Sequence, residues 1–472
     1  MVFSYNWDMR IYNTLSRTIE EFTPVSGGKK VTMYCCGPTV YDYTHLGHLW
    51  KYIMDDTIHR TLTFLGYEVK HVMNVTDVGH LVSDADEGED KLEKGARKSG
   101  KTVWEVAEFY TAFFNRSMRA IGVQEPDVVC KATEHIAEMI QLIQTLEKKG
   151  FTYNTTSAVY FDTSKFPHYG TLSGQKLEDK KKGTRAGVVE DREKKHPHDF
   201  ALWFKRVGRF ADHTMHWESP WGDGFPGWHI ECSAMSMKYL GPQIDVHTGG
   251  IDHIPVHHPN EIAQSEAATG KAPFVKYWVH HNFVQIEGEK MSKSLGNFMT
   301  IDDVIKRDID PYALRLLFLQ SHYRSELNFT WEALKASETA LNRLREGYRE
   351  LGTETSAKTL ENLDVMIQFR SALEDDFNTA KTVGILWNVL KSDTDAATKK
   401  ALVDAFNRVL GLDLAAKNEQ EIPQEVLDLA RQRKLSKSKR DFESADTLRK
   451  QILELGYLVK DKKDGNYEIK KV

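Results

Sequence analysis

Two short runs in this chain have the residue types and spacing to do chemistry on a phosphate. One is His45-Leu46-Gly47-His48 and the other is Lys290-Met291-Ser292-Lys293-Ser294. After His45, the residues Leu49, Ile53, Ile58, Leu62 and Leu65 recur at helical spacing, and Gly66 suits the stop. The first run therefore opens a helix, where first-turn N–H groups and the helix dipole favour an anion. Gly47 lets a flat ligand approach the backbone closely, which any side chain would prevent. Two lysines on a small-residue loop suit a triphosphate, because they neutralise a pyrophosphate leaving group. For the first run alone, two solvated histidines at a helix start are an equally good reading. The downstream lysines tip the balance.

A third set of residues has the chemistry to hold a metal. Cys36 precedes Gly37-Pro38, Cys232 lies in the block from Gly227 to Met235, and His257 and Glu261 are four apart. Each is ordinary by itself, since a buried cysteine is usually a small hydrophobe. Adjacent strand residues face opposite ways, so Cys36, beside the turn, looks into the site while Cys35 packs behind. Pro259 favours a helix start and pushes His258 towards an extended conformation. His257 is then expected on the incoming loop and Glu261 in the first helical turn. Two thiolates, an imidazole and a carboxylate make a zinc site of mixed character that accepts a further donor. Zinc binds a thiolate at about 2.3 Å, so a substrate thiol fits that place. A hydrophobic pocket separates near-isosteres by only about 1–3 kcal/mol, and a metal is an effective way to choose cysteine over serine.

These residues need elements to position them. The stretch from Thr32 alternates and reads as a short buried strand broken by Gly37-Pro38, and Glu68 to Val75 reads as a second strand. Strand, helix, strand implies a parallel sheet of the nucleotide-binding α/β kind, with ligands at the carboxyl ends of the strands. Thr76 and Asp77 follow the second strand there. Residues 9 to 30 read as an N-terminal strand and loop, and 84 to 101 as a solvated loop. Thr133 starts a helix closed by Gly150, Phe151 to Asp162 forms a hairpin, and 170 to 198 is an exposed inserted loop. The sheet resumes at Ile244 to His247, ahead of Gly249-Gly250, and again at Tyr277 to Phe283. From Ile301 to Leu410 the chain reads as helical, with Leu314, Leu317, Leu327 and Leu334 at heptad-like spacing. A final unit has a helix from Gln424, a second from Asp441 to Leu455, and a hairpin turning at Asp464-Gly465.

The expected organisation is a Rossmann-like parallel-sheet catalytic domain split into 1–120 and 226–300 around an inserted connective region, 121–225. A helical bundle, 301–415, and a small C-terminal α/β unit, 421–472, follow. With 472 residues, 40% hydrophobic and 28% charged, the chain has room for two to four globular domains. No apolar run approaches membrane-spanning length and no N-terminal apolar segment is present, which predicts a soluble protein. Four cysteines, two of them neighbours, fit a reducing compartment rather than a disulfide scaffold. The net charge of −5 gives no global sign of a nucleic-acid partner. The last unit differs: 13 Lys+Arg against 10 Asp+Glu from Glu421 to Val472 leave it at +3. Arg431, Arg433, Lys434, Lys437, Lys439 and Arg440 crowd into ten residues, a run that suits phosphate contact.

The two phosphate-directed runs resemble the HIGH and KMSKS signatures of class I aminoacyl-tRNA synthetases. Within that class the chain is similar to the cysteinyl-tRNA synthetase family. The family's Cys-Gly-x-Thr-Val-Tyr-Asp opening is matched by Cys36 to Asp42, and its Gly-Trp-His-Ile-Glu-Cys-Ser-Ala-Met block by Gly227 to Met235. His257-His258-Pro259-Asn260-Glu261 and the KMSKSLGN run from Lys290 to Asn297 match as well. The resemblance spans nearly the whole chain. It implies that Cys36, Cys232, His257 and Glu261 hold zinc, and that Thr76, Trp228 and His247 shape a cysteine pocket. It places His45, Gly47, His48, Gly249, Asp252 and Lys293 at ATP, with His45, His48, Lys290 and Lys293 catalytic. The implied partners are ATP with Mg2+, L-cysteine and tRNA(Cys), served by a cytoplasmic monomer with the helical bundle on tRNA and the last unit on its anticodon side. Three departures stand out: Trp50 where the family has Arg, Thr248 in a glycine-rich turn, and Pro259. A cysteine ligase acting on an amino-sugar and a non-catalytic RNA-binding paralogue are the alternatives. The long helical and basic C-terminal part favours tRNA over the first, and two intact nucleotide motifs favour an enzyme over the second.

Overall fold

The structure, a computed structural model, describes residues 9–79, 81–83, 87–174, 193–292, 295–356, 359–416, 423–461 and 466–471. Five parallel strands form its centre: β1 (Lys30–Cys35), β2 (Glu68–Val75), β3 (Val128–Lys131), β4 (Ile244–Gly250) and β5 (Val275–His281). Their spatial order is β5-β4-β1-β2-β3. Cys35 pairs with Met73 on one side and Thr248 on the other, so three strand ends finish level. The order reverses at β1, and ligands in such sheets bind outside the carboxyl ends at that switch. The strands are apolar along most of their length because helices cover both faces.

Helix α1 (Leu46–Phe64) follows β1, α2 (Trp228–Leu240) precedes β4, and α3 (His257–Thr269) joins β4 to β5. One face of the sheet shares a core with α1 and the later helices. Ile53, Ile58 and Leu62 belong to the same cluster as Leu314, Phe318, Phe369 and Phe406. The opposite face is closed by the helix Ile136–Lys148 together with α2, through Met139, Ile143, Ile230 and Met235. The helical stretch after Ile301 is therefore packed into the catalytic core. By compactness the chain forms two units, one reaching Leu414 and one starting at Ala415.

The connective region holds a four-stranded antiparallel sheet of Thr152–Asn154, Ala158–Phe161, Phe200–Lys205 and Gly224–Pro226. The hairpin expected from Phe151 is its first pair. Of the loop expected at 170 to 198, residues 175–192 lie outside the described residues. The N-terminal strand expected before residue 30 is a two-stranded ribbon, Arg10–Asn13 with Thr18–Glu21.

Three expectations change. Residues 84 to 101 are not a plain loop: Glu87–Asp90 is a strand and Lys91–Ser99 a helix. The Asp90 carboxylate accepts from the N–H groups of Leu92 and Glu93, and Leu92 and Ala96 are buried on one helical face. That cap and that i,i+4 pair were hidden among the charges. Leu327 is not in a helix; it opens a short strand, Leu327–Phe329, parallel to Val284–Ile286. Finally, α3 begins two residues before Pro259, because the missing N–H of a proline costs nothing in a first turn.

The C-terminal unit follows its reading closely. Helices Gln424–Ser438 and Phe442–Glu454 pack with an antiparallel pair, Tyr457–Asp461 and Tyr467–Lys471. Val426, Ala430, Ile452 and Val459 form its own core. The expected turn residues, Asp464 and Gly465, lie outside the described residues.

Candidate active site

A cavity of about 730 Å³ opens at the carboxyl ends of the strands. Nearest the cleft, α1 begins with His45 as its N-cap. The His45 Nδ1 accepts from the backbone N–H groups of Gly47 at 3.1 Å and His48 at 3.3 Å, and the His48 ring returns a bond to the His45 amide. The two rings stack with centroids 3.6 Å apart. The N–H of Leu46 is also taken, by the carbonyl of Met299. The first-turn amides of Leu46, Gly47 and His48, expected to meet a phosphate, are thus already bonded within the protein. A Cβ at Gly47 would lie 3.0 Å from the His45 ring, so glycine there keeps the stack intact. His48 lines the mouth of the cleft, where removal from bulk water, with His45, Lys51 and His253 nearby, holds its pKa well below the ordinary histidine value.

Lys290 lines the opposite wall, in a two-residue strand paired with Val284–Ile286. Asn297 closes the loop, its side chain accepting from the Ser292 amide at 2.7 Å and donating to the Lys290 carbonyl at 3.1 Å. Lys293 lies outside the described residues.

The structure brings all four expected metal-ligating residues together. One donor atom from each of Cys36, Cys232, His257 and Glu261 lies within 4.8 Å of the others, and all four residues are buried. His257 and Glu261 sit one turn apart on α3, with Nε2 and Oε1 separated by 2.9 Å. Both atoms are buried, and with the two sulfurs beside them they make a mixed N, O and S donor set that fits a shared cation once the imidazole gives up its proton. Burial alone would push the Cys36 thiol up, but Cys232, His247, His253 and His257 outweigh it and hold Cys36 well below the usual thiol range. Cys232 moves the other way, through its bond to Cys36 and through burial.

A second quartet, Cys36, His247, His258 and Glu261, meets the same distance test. His247 and His258 do not line the cavity, whereas Cys36, Cys232 and His257 do. His247 was expected at the substrate. Instead it stands behind Glu261, with Nε2 3.0 Å from the other carboxylate oxygen and its ring stacked on Trp278. His258 is fixed by His280 at 2.8 Å.

Trp228 and Thr76 line the cavity as expected. The Trp228 indole stacks on His257 with centroids 4.0 Å apart. The Thr76 hydroxyl donates to Glu231 at 2.9 Å. Glu231 is buried, which pushes its carboxyl well above the ordinary range in spite of that bond. Asp252 lines the cavity but Gly249 does not. A Cβ at Gly249 would lie 2.5 Å from the His258 ring, so this glycine makes room for histidines rather than for nucleotide. Trp50 is buried, and its indole N–H donates to the Asn282 carbonyl at 3.1 Å. Sequence reasoning missed Lys51, Asp55 and His281, a buried group in which Asp55 pairs with the Lys51 ammonium and hydrogen-bonds with the His281 ring at the cavity floor. The i,i+4 pairing of Lys51 and Asp55 on an apolar helix was the available signal.

This fold and paired nucleotide motifs define a class I aminoacyl-tRNA synthetase. A family profile described as "tRNA synthetases class I (C) catalytic domain" matches residues 22–339. Among curated proteins, Cysteine--tRNA ligase 1 of Burkholderia lata is 44% identical over 460 residues, covering 97% of this chain and 96% of its own. The Cysteine--tRNA ligase of Treponema denticola is 44% identical over 487 residues, covering 96% and 98%. The chain belongs to the cysteine--tRNA ligase family and is accordingly an enzyme, a ligase of class I. The fold is shared more widely. Mycobacterium tuberculosis methionyl-tRNA synthetase in complex with methionyl-adenylate aligns with a TM-score of 0.55 at 14% identity, covering 82% of this chain and 90% of that one.

Proposed function

We propose that this chain activates L-cysteine with ATP and transfers it to the 3′ end of tRNA(Cys), using zinc to select the thiol. The observation that carries this reading is the four-donor cluster at the inner end of a nucleotide-sized cleft. Cys36, Cys232, His257 and Glu261 would hold the ion, with His247 orienting the carboxylate from behind. When bound, zinc supplies a thiophilic Lewis acid that lowers the substrate thiol's pKa and favours sulfur over oxygen.

The chain's own residues do the rest. Trp228 and Thr76 wall the amino-acid pocket, and ATP enters as its magnesium complex. His45 and His48 hydrogen-bond the phosphate oxygens, while Lys290 and Lys293 neutralise the charge that develops on pyrophosphate. A cysteine carboxylate oxygen bonds to the α-phosphorus as the bond to the bridging oxygen of pyrophosphate breaks. The terminal ribose hydroxyl of tRNA then bonds to the acyl carbon as AMP departs, and the hydroxyl proton is lost. No side chain becomes covalent, so positioning and charge stabilisation carry both steps.

The C-terminal unit offers exposed Arg431, Lys439 and Arg440 for RNA phosphates. Arg433 is excluded from that role, since it is buried and bidentate to Asp461. The reading is of a monomer acting in the cytoplasm, a reducing compartment that the four free cysteines suit. Among the described residues no helix is long and apolar enough to cross a membrane.

The test is amino-acid-dependent ATP–pyrophosphate exchange with cysteine and serine, with and without a chelator. Exchange is expected with cysteine alone and is lost on chelation. Equal exchange with serine, or none of the loss on chelation, would overturn the zinc-selection reading.

A further inference from the structure

The floor of the cavity carries a buried charge cluster that the reaction above does not use. Lys51 and Asp55 lie one turn apart on α1, and the Lys51 ammonium donates to Asp55 Oδ2 at 2.6 Å. The other Asp55 oxygen, Oδ1, is 2.7 Å from His281 Nε2 at the end of β5. The Lys51, Asp55 and His281 side chains are 10%, 3% and 1% exposed. Lys51 and His281 line the cavity.

An ammonium has three N–H donors. Lys51 spends one on Asp55 and a second on the carbonyl of Cys36 at 2.6 Å. The third makes no protein hydrogen bond among the described residues; the ammonium stands 4.3 Å from the centroid of the Tyr52 ring, itself a lining residue, so a ligand anion in the cavity competes only with that ring contact. Both of its partners fix where that donor is. The carbonyl belongs to the residue whose sulfur joins the metal cluster, so the ammonium sits within one residue's reach of that cluster. Lys51 is also three residues past His48, on the same face of α1 and one turn deeper. A buried cation thus stands between a thiol-binding cluster and a phosphate-binding helix start. In a cysteine molecule two bonds separate the β-carbon from the carboxyl carbon, so a thiol held at the cluster puts the carboxylate in this interval.

We propose that Lys51 binds the α-carboxylate of the incoming cysteine and presents it to the α-phosphate, with Asp55 and His281 bracing the ammonium. The inference rests on the cysteine-activating reading above. Asp55 occupies both oxygens on the brace, which leaves Lys51 no freedom to swing out of the cavity. The arrangement makes the pocket read both ends of its substrate: sulfur at the cluster and carboxylate at Lys51.

The test compares cysteine with cysteamine, which keeps the thiol and amine and lacks the carboxylate, by calorimetry on the zinc-loaded full chain without ATP. Wild type is expected to bind cysteine more tightly than cysteamine. Lys51→Met is expected to weaken cysteine by about tenfold to a hundredfold, the worth of a hydrogen bond to a charged group, and to leave cysteamine within about twofold. Should Lys51→Met not fold, Lys51→Gln serves the same comparison, since it can still bond the Cys36 carbonyl. An unchanged preference for cysteine over cysteamine in a folded variant overturns the role of Lys51. Cysteamine binding too weak to measure in wild type means the carboxylate carries more of the affinity than expected, and the thiol–zinc reading is then decided by the chelator arm of the exchange assay. Lys51 is then judged by exchange kinetics: a raised cysteine KM with the ATP KM unmoved supports it, and an unmoved cysteine KM refutes it.

Discussion

Cys35 and Cys36 show how much one residue of register decides. Cys36 joins the metal-ligating quartet, whereas Cys35 points to the other face of β1 with its sulfur 3.1 Å from His71 Nε2. Replacing Cys232 by Ser or His257 by Ala is expected to reduce bound zinc from about one per chain to near none, while Cys35→Ala keeps it. Elemental analysis of the purified proteins checks this, and full metal in both ligand variants would refute the assignment. The cluster also predicts a pH dependence. Burial opposes a charge on His257, but Glu261 and Cys36 outweigh it and push the metal-free imidazole up to about 10. Below that pH a proton must leave His257 before the nitrogen can ligate. Apparent zinc affinity is therefore expected to fall about tenfold for each unit the pH is lowered, per proton displaced. Competition against a chelating dye between pH 6 and 8 measures the slope, and a flat profile would exclude a titrating ligand.

At the scale of elements, α1 carries most of the site on one face: His48 at its mouth, Lys51 one turn in, Asp55 below. Its start, spacing and stop were legible in sequence because cap and apolar period are local properties. The helix Lys91–Ser99 was not, since two buried residues among charges give too weak a period. In the C-terminal unit the basic run divides in the same unreadable way. Arg433 and Lys437 both donate to Asp461, at 2.9 and 2.6 Å, and hold its carboxyl well below the usual carboxylate range. A carboxyl lowered by folding stabilises above its unfolded pKa of about 4 and loses that contribution as pH falls below it. Amide protection over 424–461 is expected to start dropping near pH 4 and to go on dropping as the pH falls towards the lowered folded value. Asp461→Asn should be less protected at pH 7 and flatter across that window. An identical acid profile in the variant would remove Asp461 from the account.

For the molecule as a whole, one buried arginine ties the later helices to the catalytic sheet. Arg315 donates to Asp56 on α1 and to the carbonyls of Leu410, Ile121 and Gly122. Asp56 also accepts from Arg60 at 2.7 Å and from the Gln124 amide at 3.0 Å. Burial alone would raise the Asp56 carboxyl, yet Arg315 and Arg60 hold it down, so it stays charged in the core. Removing one partner of a buried pair leaves an uncompensated charge, and Arg315→Met is expected to cost on the order of 3 kcal/mol. A urea-unfolding midpoint equal to wild type would contradict that. This packing explains why Leu327, read as part of a bundle, is a strand beside the lysine loop: the region after Ile301 completes the catalytic unit rather than standing apart from it.

The sequence by itself carried the strands of the parallel sheet, the two nucleotide-directed runs and the candidate ligands as residue types in local motifs, because periodicity and turn chemistry are written in neighbouring residues; that Cys36, Cys232, His257 and Glu261 converge was decided by the fold. Only the tertiary structure decided that His247 stands behind Glu261, that Gly249 makes room for His258, and that Lys51 meets Asp55 and His281 at the cavity floor. Those relations join residues from different strands and helices. A burial or a hydrogen bond between distant segments has no signature in the spacing of either one.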